Sequence, residues 1–481
     1  MAMITEASKI GSKIGLGVDA YELSVISKAP EPAVDSSWVE QRASSLRSDL
    51  PDSDTAVHAL PPFDGGWRAW TFVAAGFVLE TFIWGFNYSY GVFQNYYTSH
   101  PPFEQSSHVA VASIGPTGLA IMFTEGLLLS FFHTRYPDYM KYTLWTGLTL
   151  FVLALLLSSF VSDVALLIFL QGICLGVGGG MMYWPSLSLL PEWFVQRRGL
   201  ASGIMFAGGG VGGFVFPLVV EALLSRIGFR WTLRIWALLM AVVGGVAILG
   251  VRPRVPVPKF HAGHPRPAFF PANTQFHKRP VFWCFTLTYW LQGMCFYPVS
   301  LYIAVFTATI ASPLSAATAL SLFNSAGVIG QVLMGYFTDR WPYPRIMFGS
   351  ALGCCLSAFL LWGFADTLGT IFAFAVLFGG LGGGFPSVLF AAATDSAGAN
   401  PEQATTALTA VTAIKGIAAV LGPIASSLLL EAGKKSSSSA FTTYGKGGFG
   451  PVIVFVGSCA AVTSLSTLAV AAARLDVRPR F

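Results

Sequence analysis

Apolar residues fill long stretches of this chain, and polar residues gather in short breaks between the stretches. A helix needs about 20 predominantly apolar residues to cross the roughly 30 Å hydrocarbon core of a membrane. About twelve stretches reach that length by this criterion. The pattern therefore predicts an all-α integral membrane protein, with transmembrane helices near residues 68–93, 109–132, 141–162, 164–189, 199–224, 231–251, 281–306, 316–337, 346–364, 368–393, 404–430 and 451–473.

A long polar break at residues 252–280 divides the predicted helices into two sets of six. The break is rich in arginine, lysine and proline and contains no acid. Proline-rich segments of this kind act as extended spacers. We therefore predict a disordered cytoplasmic N-terminal tail at 1–63, a six-helix bundle at 64–251, a cytoplasmic linker at 252–280, a second six-helix bundle at 281–473 and a cytoplasmic tail at 474–481.

The two sets of helices repeat several features at nearly one offset. Glycine-rich runs at 176–180 and 380–384, the pair Arg135 and Arg340, and the pair Pro217 and Pro423 are separated by 204, 205 and 206 positions. Parallel repeats of this kind build transporters whose halves rock about a site at the membrane midplane. The repeat therefore predicts two pseudo-symmetric six-helix bundles.

Glycine lets helices approach closely, and it also lets them bend or slide. The two glycine runs are therefore consistent with hinges and equally with static close packing. The residues in question are Gly176, Gly178 and Gly180 in the fourth predicted helix and Gly380, Gly382 and Gly384 in the tenth.

Basic residues fix the orientation that we expect in the membrane. Connections on one side carry Arg135, Arg197, Arg198, Arg340 and Arg345, together with the linker, whereas the connections at 95–108, 307–315 and 365–367 carry no Lys or Arg. Lys and Arg are enriched on the cytoplasmic side of membrane proteins. We therefore predict that both termini are cytoplasmic and that the protein lies in the plasma membrane. Basic residues near the 5–6 and 11–12 connections are exceptions to this distribution.

Composition agrees with a membrane protein and favours no enzyme class. Only 11% of the residues are charged, against roughly 25% in soluble domains. The six cysteines all lie in apolar segments without metal-ligand spacing, so they are better explained as core thiols than as a metal or disulfide framework. We find no nucleotide-binding loop or catalytic triad. The chain is therefore expected to use no cofactor and no metal, to bind no nucleic acid, and to work on gradients rather than as an enzyme.

Three charged residues lie well inside predicted membrane helices, namely Glu80, Glu125 and Lys415, and Glu221 lies near an end of the fifth. Such groups are costly in lipid and persist where they are paired or face a wet cavity. Glu80 and Glu125 can each therefore bind a substrate or a proton, or can belong to a structural pair. Lys415 can attract a carboxylate, or it can neutralise Glu80 or Glu125, because a buried lysine without a partner would tend to lose its charge.

Polar and aromatic residues at helical spacing add further candidate binding residues. Positions three, four and seven apart share one face of a helix, although aromatic stripes are more often packing than binding surfaces. On this basis the candidate substrate- or proton-binding residues, besides the three charged ones, are Asn87 and Tyr88 on the Glu80 helix, Tyr289 and Gln292 on the seventh helix, and Asn324 and Gln331 on the eighth.

The loop after the eighth predicted helix resembles a known family pattern. Gly335-x-x-x-Asp339-Arg340-x-x-x-x-Arg345 is similar to the cytoplasmic loop motif of the major facilitator superfamily. The resemblance implies that the acid and the basic residues latch helix ends in one conformation. The first-half copy, which ends at Arg135, has Ser130 and Thr134 in place of the glycine and the acid, so latching is expected to be asymmetric.

Two further motifs resemble those of fungal monocarboxylate porters. Residues 64–70 read DGGWRAW and residues 193–203, which include Arg197 and Arg198, read WFVQRRGLASG. Lactate carriers of that family have a lysine, an acid and an arginine where this chain has Tyr88, Gly327 and Gln331. The resemblance thus implies the major facilitator fold, but not the lactate-type proton mechanism.

The sequence therefore predicts a secondary transporter that works by alternating access and moves a small organic substrate across the lipid bilayer, with protons as the candidate coupling ion. A carboxylated metabolite is the expected substrate, and efflux of a fungal secondary metabolite is the main interpretation. Proton-linked uptake of a small monocarboxylate remains an alternative, as does a metabolite sensor that does not transport.

Overall fold

The structure, a computed structural model, describes residues 61–256, 266–269, 275–398, 401–436 and 444–477. Eleven helices in these ranges are long and apolar enough to cross a membrane. We number the transmembrane segments α1 (Gly66–Ser99), α2 (His108–Arg135), α3 (Met140–Ser158), α4 (Val164–Trp193), α5 and α6 (together Arg198–Gly250), α7 (Pro280–Ala308), α8 (Pro313–Thr338), α9 (Tyr343–Trp362), α10 (Leu368–Ala397), α11 (Pro401–Ser436) and α12 (Gly450–Val477).

A single glycine separates α5 from α6. Gly228 has φ 74° and ψ 172°, outside the helical region, and only glycine adopts a positive φ of this kind without strain. The break leaves α5 at 198–227 and α6 at 229–250. Counted on either side of Gly228, the described part of the chain has twelve transmembrane segments, and the predicted all-α fold is confirmed.

Several predicted boundaries were wrong by a few residues. The first helix continues to Ser99 rather than ending at 93, and α12 continues to Val477, so residues 474–477 are helical rather than part of a tail. Local capping accounts for part of the difference, because hydropathy alone does not mark a helix end. Thr367, for example, starts α10 with a capping box that it shares with Thr370.

The last residues of the predicted N-terminal tail contact the start of the linker. The Nε of Arg254 donates to the carbonyl of Pro61 at 2.8 Å, and the Arg254 guanidinium lies 3.5 Å from the centre of the Phe63 ring. The backbone N–H of Arg254 also donates to Glu192 at 2.9 Å. The start of the linker and residues 61–63 are thus fixed to the end of α4. Residues 1–60, 257–265, 270–274 and 478–481, which belong to the predicted tails and linker, lie outside the described residues.

Two helix pairs join the first six helices to the last six. Between α5 and α8 the backbones nearly touch, since a Cβ added to Gly335 would lie 2.2 Å from the carbonyl oxygen of Gly199. Between α2 and α11, a Cβ added to Gly416 would lie 2.6 Å from Phe123. Small residues allow this proximity in membrane proteins. We call the end of the molecule where α6 ends and α7 begins the linker end, and the other the far end.

Candidate functional site

A cavity of about 90 Å³ lies between the first six and the last six helices. It is formed by α1, α2, α4 and α5 on one side and by the equivalent helices of the repeat, α7, α8, α10 and α11, on the other. Its walls are mainly aromatic, with few polar groups. The side chains that matter below are Glu80, Trp84, Tyr88, Phe123, Tyr183, Phe206, Tyr289, Gln292, Phe296, Tyr297, Phe323, Asn324, Gln331 and Lys415.

The face of α1 that lines the cavity consists of Glu80, Trp84 and Tyr88, at successive helical turns. Glu80 is only 3% exposed, and its carboxyl interacts with the indole of Trp84. The ring of Tyr88 stacks on that indole, with 5.7 Å between the ring centres. Asn87 is not among the lining residues; its side-chain amide donates to the carbonyl of Ile83 on its own helix at 2.9 Å.

Lys415 extends from α11 into the opposite wall. Its ammonium lies 3.9 Å from the ring centre of Tyr289 and 6.0 Å from that of Tyr297, and the residue is 5% exposed. Among the residues that the structure describes, Lys415 forms no ion pair with Glu80 or Glu125. The hypothesis that it neutralises one of them therefore stays a prediction for another conformation. Cation–π contacts stabilise the ammonium in place of a carboxylate.

Glu125 lies outside the cavity, although it also belongs to a membrane helix. Its carboxylate packs against Gly180 of α4, where an added Cβ would lie 1.4 Å from Oε1. That oxygen is buried and has no hydrogen-bond partner in the described part of the chain. The structure thus separates Glu125 from the other candidate binding residues, and a role at the cavity would need a different conformation.

The four candidate residues of α7 and α8 all line the cavity. The Nε2 of Gln292 donates to the carbonyl of Gly382 at 2.9 Å, and the Nδ2 of Asn324 donates to the carbonyl of Gly213 on α5 at 3.2 Å. Gln331 lies one turn beyond Gly327, which also lines the cavity. Tyr88, Gly327 and Gln331, which replace the charged residues of lactate carriers, therefore meet in this one space.

At the linker end, Asp339 joins the two sets of helices. Its carboxylate accepts hydrogen bonds from the backbone N–H groups of Gly199 at 2.6 Å and Leu200 at 2.8 Å, in the first turn of α5. A helix N-terminus leaves such groups without partners and favours a negative charge. Burial raises the pKa of Asp339, and the nearby charge of Asp64 adds to this, although the two N–H donors and Arg340 lower it.

The predicted basic latch residues have different partners from one another. Arg198 crosses to α10, where its Nη1 donates to Thr394 at 3.0 Å. Arg135 instead contacts the linker, donating to the carbonyl of Pro267 at 3.1 Å. Arg340 lies over the Tyr336 ring of its own helix, and the side chains of Arg197 and Arg345 are exposed. Asp339 and Arg198 are thus the predicted latch residues that bridge the two sets.

Asp64 connects the two motifs that resemble monocarboxylate porters. Its carboxylate accepts from the backbone N–H groups of Val195 at 2.9 Å, Gln196 at 3.0 Å and Arg197 at 2.8 Å. Partial burial alone would raise the pKa of Asp64, but these three donors and the charge of Arg197 outweigh it, so the pKa is lowered. The DGGW segment thus fixes the turn from which α5 starts.

The far end of the cavity is less closed than the linker end. Tyr88 is 40% exposed, and an added Cβ on Gly91, less than one turn further along the same face of α1, would meet no heavy atom within 4 Å. At the linker side, by contrast, the rings of Phe206 and Phe390 stack across the two sets with centres 6.2 Å apart. The cavity is therefore closed at the linker end by these rings, whereas Tyr88, toward the far end, is partly exposed.

The glycine runs lie at close helix crossings. A Cβ on Gly176 would lie 2.8 Å from the carbonyl oxygen of Gly118, and one on Gly384 would lie 2.4 Å from Met334 and 2.7 Å from the carbonyl oxygen of Gly330. Close packing therefore accounts for their small size. A hinge role for these residues stays a prediction.

Sequence reasoning missed most of the aromatic wall. Phe123, Phe206, Phe323 and Tyr297 line the cavity, but they stand in segments where aromatic residues are common on every face. Tyr183 carried a weak signal, because it lies three positions after the glycine run of α4. Nothing else in the spacing distinguishes these rings from those that pack in the core or face lipid.

Comparison with known proteins agrees with the helical arrangement and the cavity. The Major Facilitator Superfamily model matches residues 73–423 and 299–469. The fujikurins efflux protein of Gibberella fujikuroi is 31% identical over 352 residues, which are 70% of this chain and 71% of that protein. The aspyridones efflux protein apdF of Emericella nidulans is 28% identical over 397 residues, 81% of this chain and 77% of that protein. The MFS transporter asaE of Aspergillus flavus is 29% identical over 328 residues, 68% and 72% of the two chains.

The family model matches most of the chain. The described residues form twelve transmembrane segments around a cavity between two sets of six, as this family requires. The chain belongs to the Major Facilitator Superfamily of membrane transporters.

Proposed function

We propose that this protein exports a carboxylated secondary metabolite by alternating access, with residues 64–251 and 281–473 as the two moving units. The observation that carries the proposal is the position of Lys415, whose ammonium lies in an aromatic cavity without an acidic partner among the described residues. The names of two relatives, which are efflux proteins for aspyridones and for fujikurins, support export of a metabolite.

Lys415 is the anchor for the anionic group of the substrate. A cation in a dry site is stabilised only in part by aromatic rings, so an incoming carboxylate gains a strong charge-assisted contact. The rings of Tyr289 and Tyr297 beside the ammonium favour an aromatic or otherwise bulky body over a small acid. In the described conformation the cavity of about 90 Å³ is smaller than a site for a drug-sized compound, so a bulky substrate requires the two units to move apart.

Glu80 is the proton site of the cycle. It is a buried acid in the same cavity as Lys415 but on the other unit, and no ion pair holds it in the described part of the chain. An acid of this kind can be neutral while it is buried and charged when the cavity opens to water. Entry of a proton from the far end would thus accompany each export cycle.

We place the linker end in the cytoplasm and the protein in the plasma membrane. The basic residues Arg135, Arg197, Arg198, Arg340 and Arg345 belong to the linker end, as expected for the cytoplasmic side. The described conformation then faces outward, since Asp339 and the pair Phe206 and Phe390 close the linker end. Export requires these contacts to break so that the cavity can fill from inside.

Uptake of a small monocarboxylate is less well supported. The positions that carry charge in lactate carriers are Tyr88, Gly327 and Gln331, and all three line the cavity without a charge. A metabolite sensor would keep the cavity but would not exchange its ligand across the membrane. Counterflow therefore separates these functions.

The test uses the full chain in proteoliposomes, with counterflow of radiolabelled aromatic and aliphatic carboxylates. We expect exchange in the wild type, loss of exchange in Lys415→Gln, and loss of the response to a pH gradient in Glu80→Gln at unchanged protein level. Lys141→Gln and Glu104→Gln remove the same charges outside the cavity and serve as matched controls. Absence of exchange for every acid tested would overturn the transport of carboxylates, and a Glu80→Gln variant with unchanged pH response would remove Glu80 from the mechanism.

A further inference from the structure

Gln292 has an orientation that the structure fixes. Its Nε2 donates to the carbonyl of Gly382, and a carbonyl oxygen can only accept a hydrogen bond. The nitrogen must therefore face Gly382, and the amide oxygen, Oε1, must face the other way. A flipped amide would bring two acceptors together, so the usual ambiguity of amide assignment does not arise here.

The Oε1 of Gln292 has no donor in the described part of the chain. The residue is 3% exposed and belongs to the lining of the cavity. A buried acceptor without a donor is unfavourable, and such groups are rare unless a ligand completes them. The Oε1 of Gln331, on the facing side of α8, is likewise buried, without a described partner, and in the lining of the same cavity.

Lys415 lies beside Gln292. A Cβ on Gly293, the next residue along α7, would lie 3.4 Å from Cγ of Lys415, and Tyr289, one turn before Gly293, holds the ammonium over its ring. One wall of the cavity thus places a lysine and a glutamine with a buried, unpaired acceptor on neighbouring positions. A plain carboxylate would satisfy the cation and leave the acceptor of Gln292 without a donor.

We propose that Lys415 and Gln292 select an organic acid that carries a hydroxyl or amide N–H donor next to its anionic group, a specificity that rests on the proposed transport function. Lys415 binds the anion, and Oε1 of Gln292 accepts the adjacent donor. Gln331 accepts a second donor where the substrate has one. Acids without a donor are discriminated against, because they leave a buried acceptor unpaired.

The test compares two labelled acids that differ by one hydroxyl, 3-phenyllactate and 3-phenylpropanoate, by equilibrium binding to the full chain in lipid nanodiscs. We expect the wild type to bind 3-phenyllactate roughly tenfold more tightly, which is the effect of one unpaired buried acceptor. Gln292→Leu removes the acceptor at similar size and should reduce the ratio to about one. Gln94→Leu, the same substitution on α1 outside the cavity lining, should keep the tenfold ratio.

Lys415→Gln separates this inference from the proposed function. It should weaken the binding of both acids by a similar factor and leave their ratio unchanged. A ratio that stays at ten in folded Gln292→Leu, or a wild type that binds the two acids equally or not at all, would overturn the selectivity. Binding of both acids that does not respond to Lys415→Gln would instead overturn the anion site of the proposed function.

Discussion

The carboxylate of Asp339 lies 2.6 Å from the backbone nitrogen of Gly199, so the end of α8 caps the start of α5. The two residues belong to different six-helix sets. Gly199 and Gly335, which lies one turn before Asp339, leave no room for a side chain between the two backbones. This contact closes the linker end in the described conformation. Any conformation that opens that end must separate Asp339 from Gly199.

Replacement of Asp339 by alanine should therefore favour the conformation that is open at the linker end. The N–H groups of Gly199 and Leu200 would lose their acceptor, and each unpaired group costs about 1–3 kcal/mol while it stays buried. Spin labels at Val195 and Trp341, which are both exposed at this end, should report longer distances in Asp339→Ala. Asp366→Asn, which breaks a 2.6 Å ion pair with Lys446 within the last six helices, is the control and should leave the distances unchanged. An unaltered distance distribution in Asp339→Ala would contradict the latch.

The same contact should depend on pH. Burial raises the pKa of Asp339 in the closed conformation, whereas a solvated aspartate in the open conformation has a pKa near 3.9. A proton therefore binds more tightly to the closed form and stabilises it. This added stability of the closed conformation is complete below about pH 3.9 and is lost as the pH rises through the raised pKa that Asp339 has in that conformation. The closed population measured with the same labels should thus increase on acidification in the wild type. It should stay constant in Asp339→Asn, which cannot titrate; an equal pH response in both would exclude Asp339 as the titrating group.

Asp64 should show the opposite dependence. The pKa of Asp64 is lowered in the folded protein, so its contribution to stability is present above about pH 3.9, the unfolded value, and is lost as the pH falls through the lower folded value. Asp64 also has φ 56°, a conformation that asparagine tolerates well. Asp64→Asn therefore removes the charge without straining the backbone. We expect it to lower stability by about 1 kcal/mol at neutral pH, because hydrogen bonds to a charged acceptor contribute more than those to a neutral amide.

Thermal unfolding in detergent checks this prediction. The difference in melting temperature between wild type and Asp64→Asn should shrink below about pH 4. Asp163→Asn is the control. Asp163 caps the start of α4 through a longer contact of 3.4 Å with the N–H of Ala165, so its replacement should lower the melting temperature less. A difference for Asp64→Asn that persists unchanged in acid would show that its charge is not the cause.

Substitutions at Gly330 and Gly349 test the close packing of the last six helices, because only Gly330 lies at a tight helix crossing. A Cβ on Gly330 would lie 1.8 Å from the carbonyl oxygen of Gly380, whereas a Cβ on Gly349 would meet nothing within 4 Å. Gly330→Ala forces two backbones apart and should destabilise the protein by about 1–3 kcal/mol or more. Gly349→Ala should be neutral or stabilise it by up to about 1 kcal/mol, because alanine favours the helix. Equal melting temperatures for the two variants would contradict the packing described for the α8–α10 crossing.

The sequence predicted the transmembrane helices well because hydrophobicity over a helix length is a local property. Their ends were less predictable. Residues 61–63 were assigned to a tail because the segment 1–63 as a whole is polar and contains several prolines, yet Pro61 and Phe63 contact Arg254, which lies far along the chain. The join between α5 and α6 likewise depends on one backbone conformation at Gly228.

The candidate site was predicted in part. Glu80, Tyr88, Tyr289, Gln292, Asn324, Gln331 and Lys415 all line one cavity. Asn87 and Glu125 do not, although they were chosen on the same grounds. Helical spacing gives relative positions on one helix, but the rotation of that helix depends on its neighbours. The close contact of Gly85 with Gly212 determines which residues of α1 face the cavity, and this contact joins residues more than a hundred positions apart.

The sequence by itself determined the membrane class, the number of segments, their duplication and the few polar residues that the segments contain. These properties follow from composition and spacing within short windows. Only the tertiary structure decided that Lys415 lies over Tyr289 rather than beside an acid, that Glu125 packs on Gly180, and that the linker end is closed. The reason is that helix rotation and helix contacts depend on packing between residues distant in the chain, which no local pattern encodes.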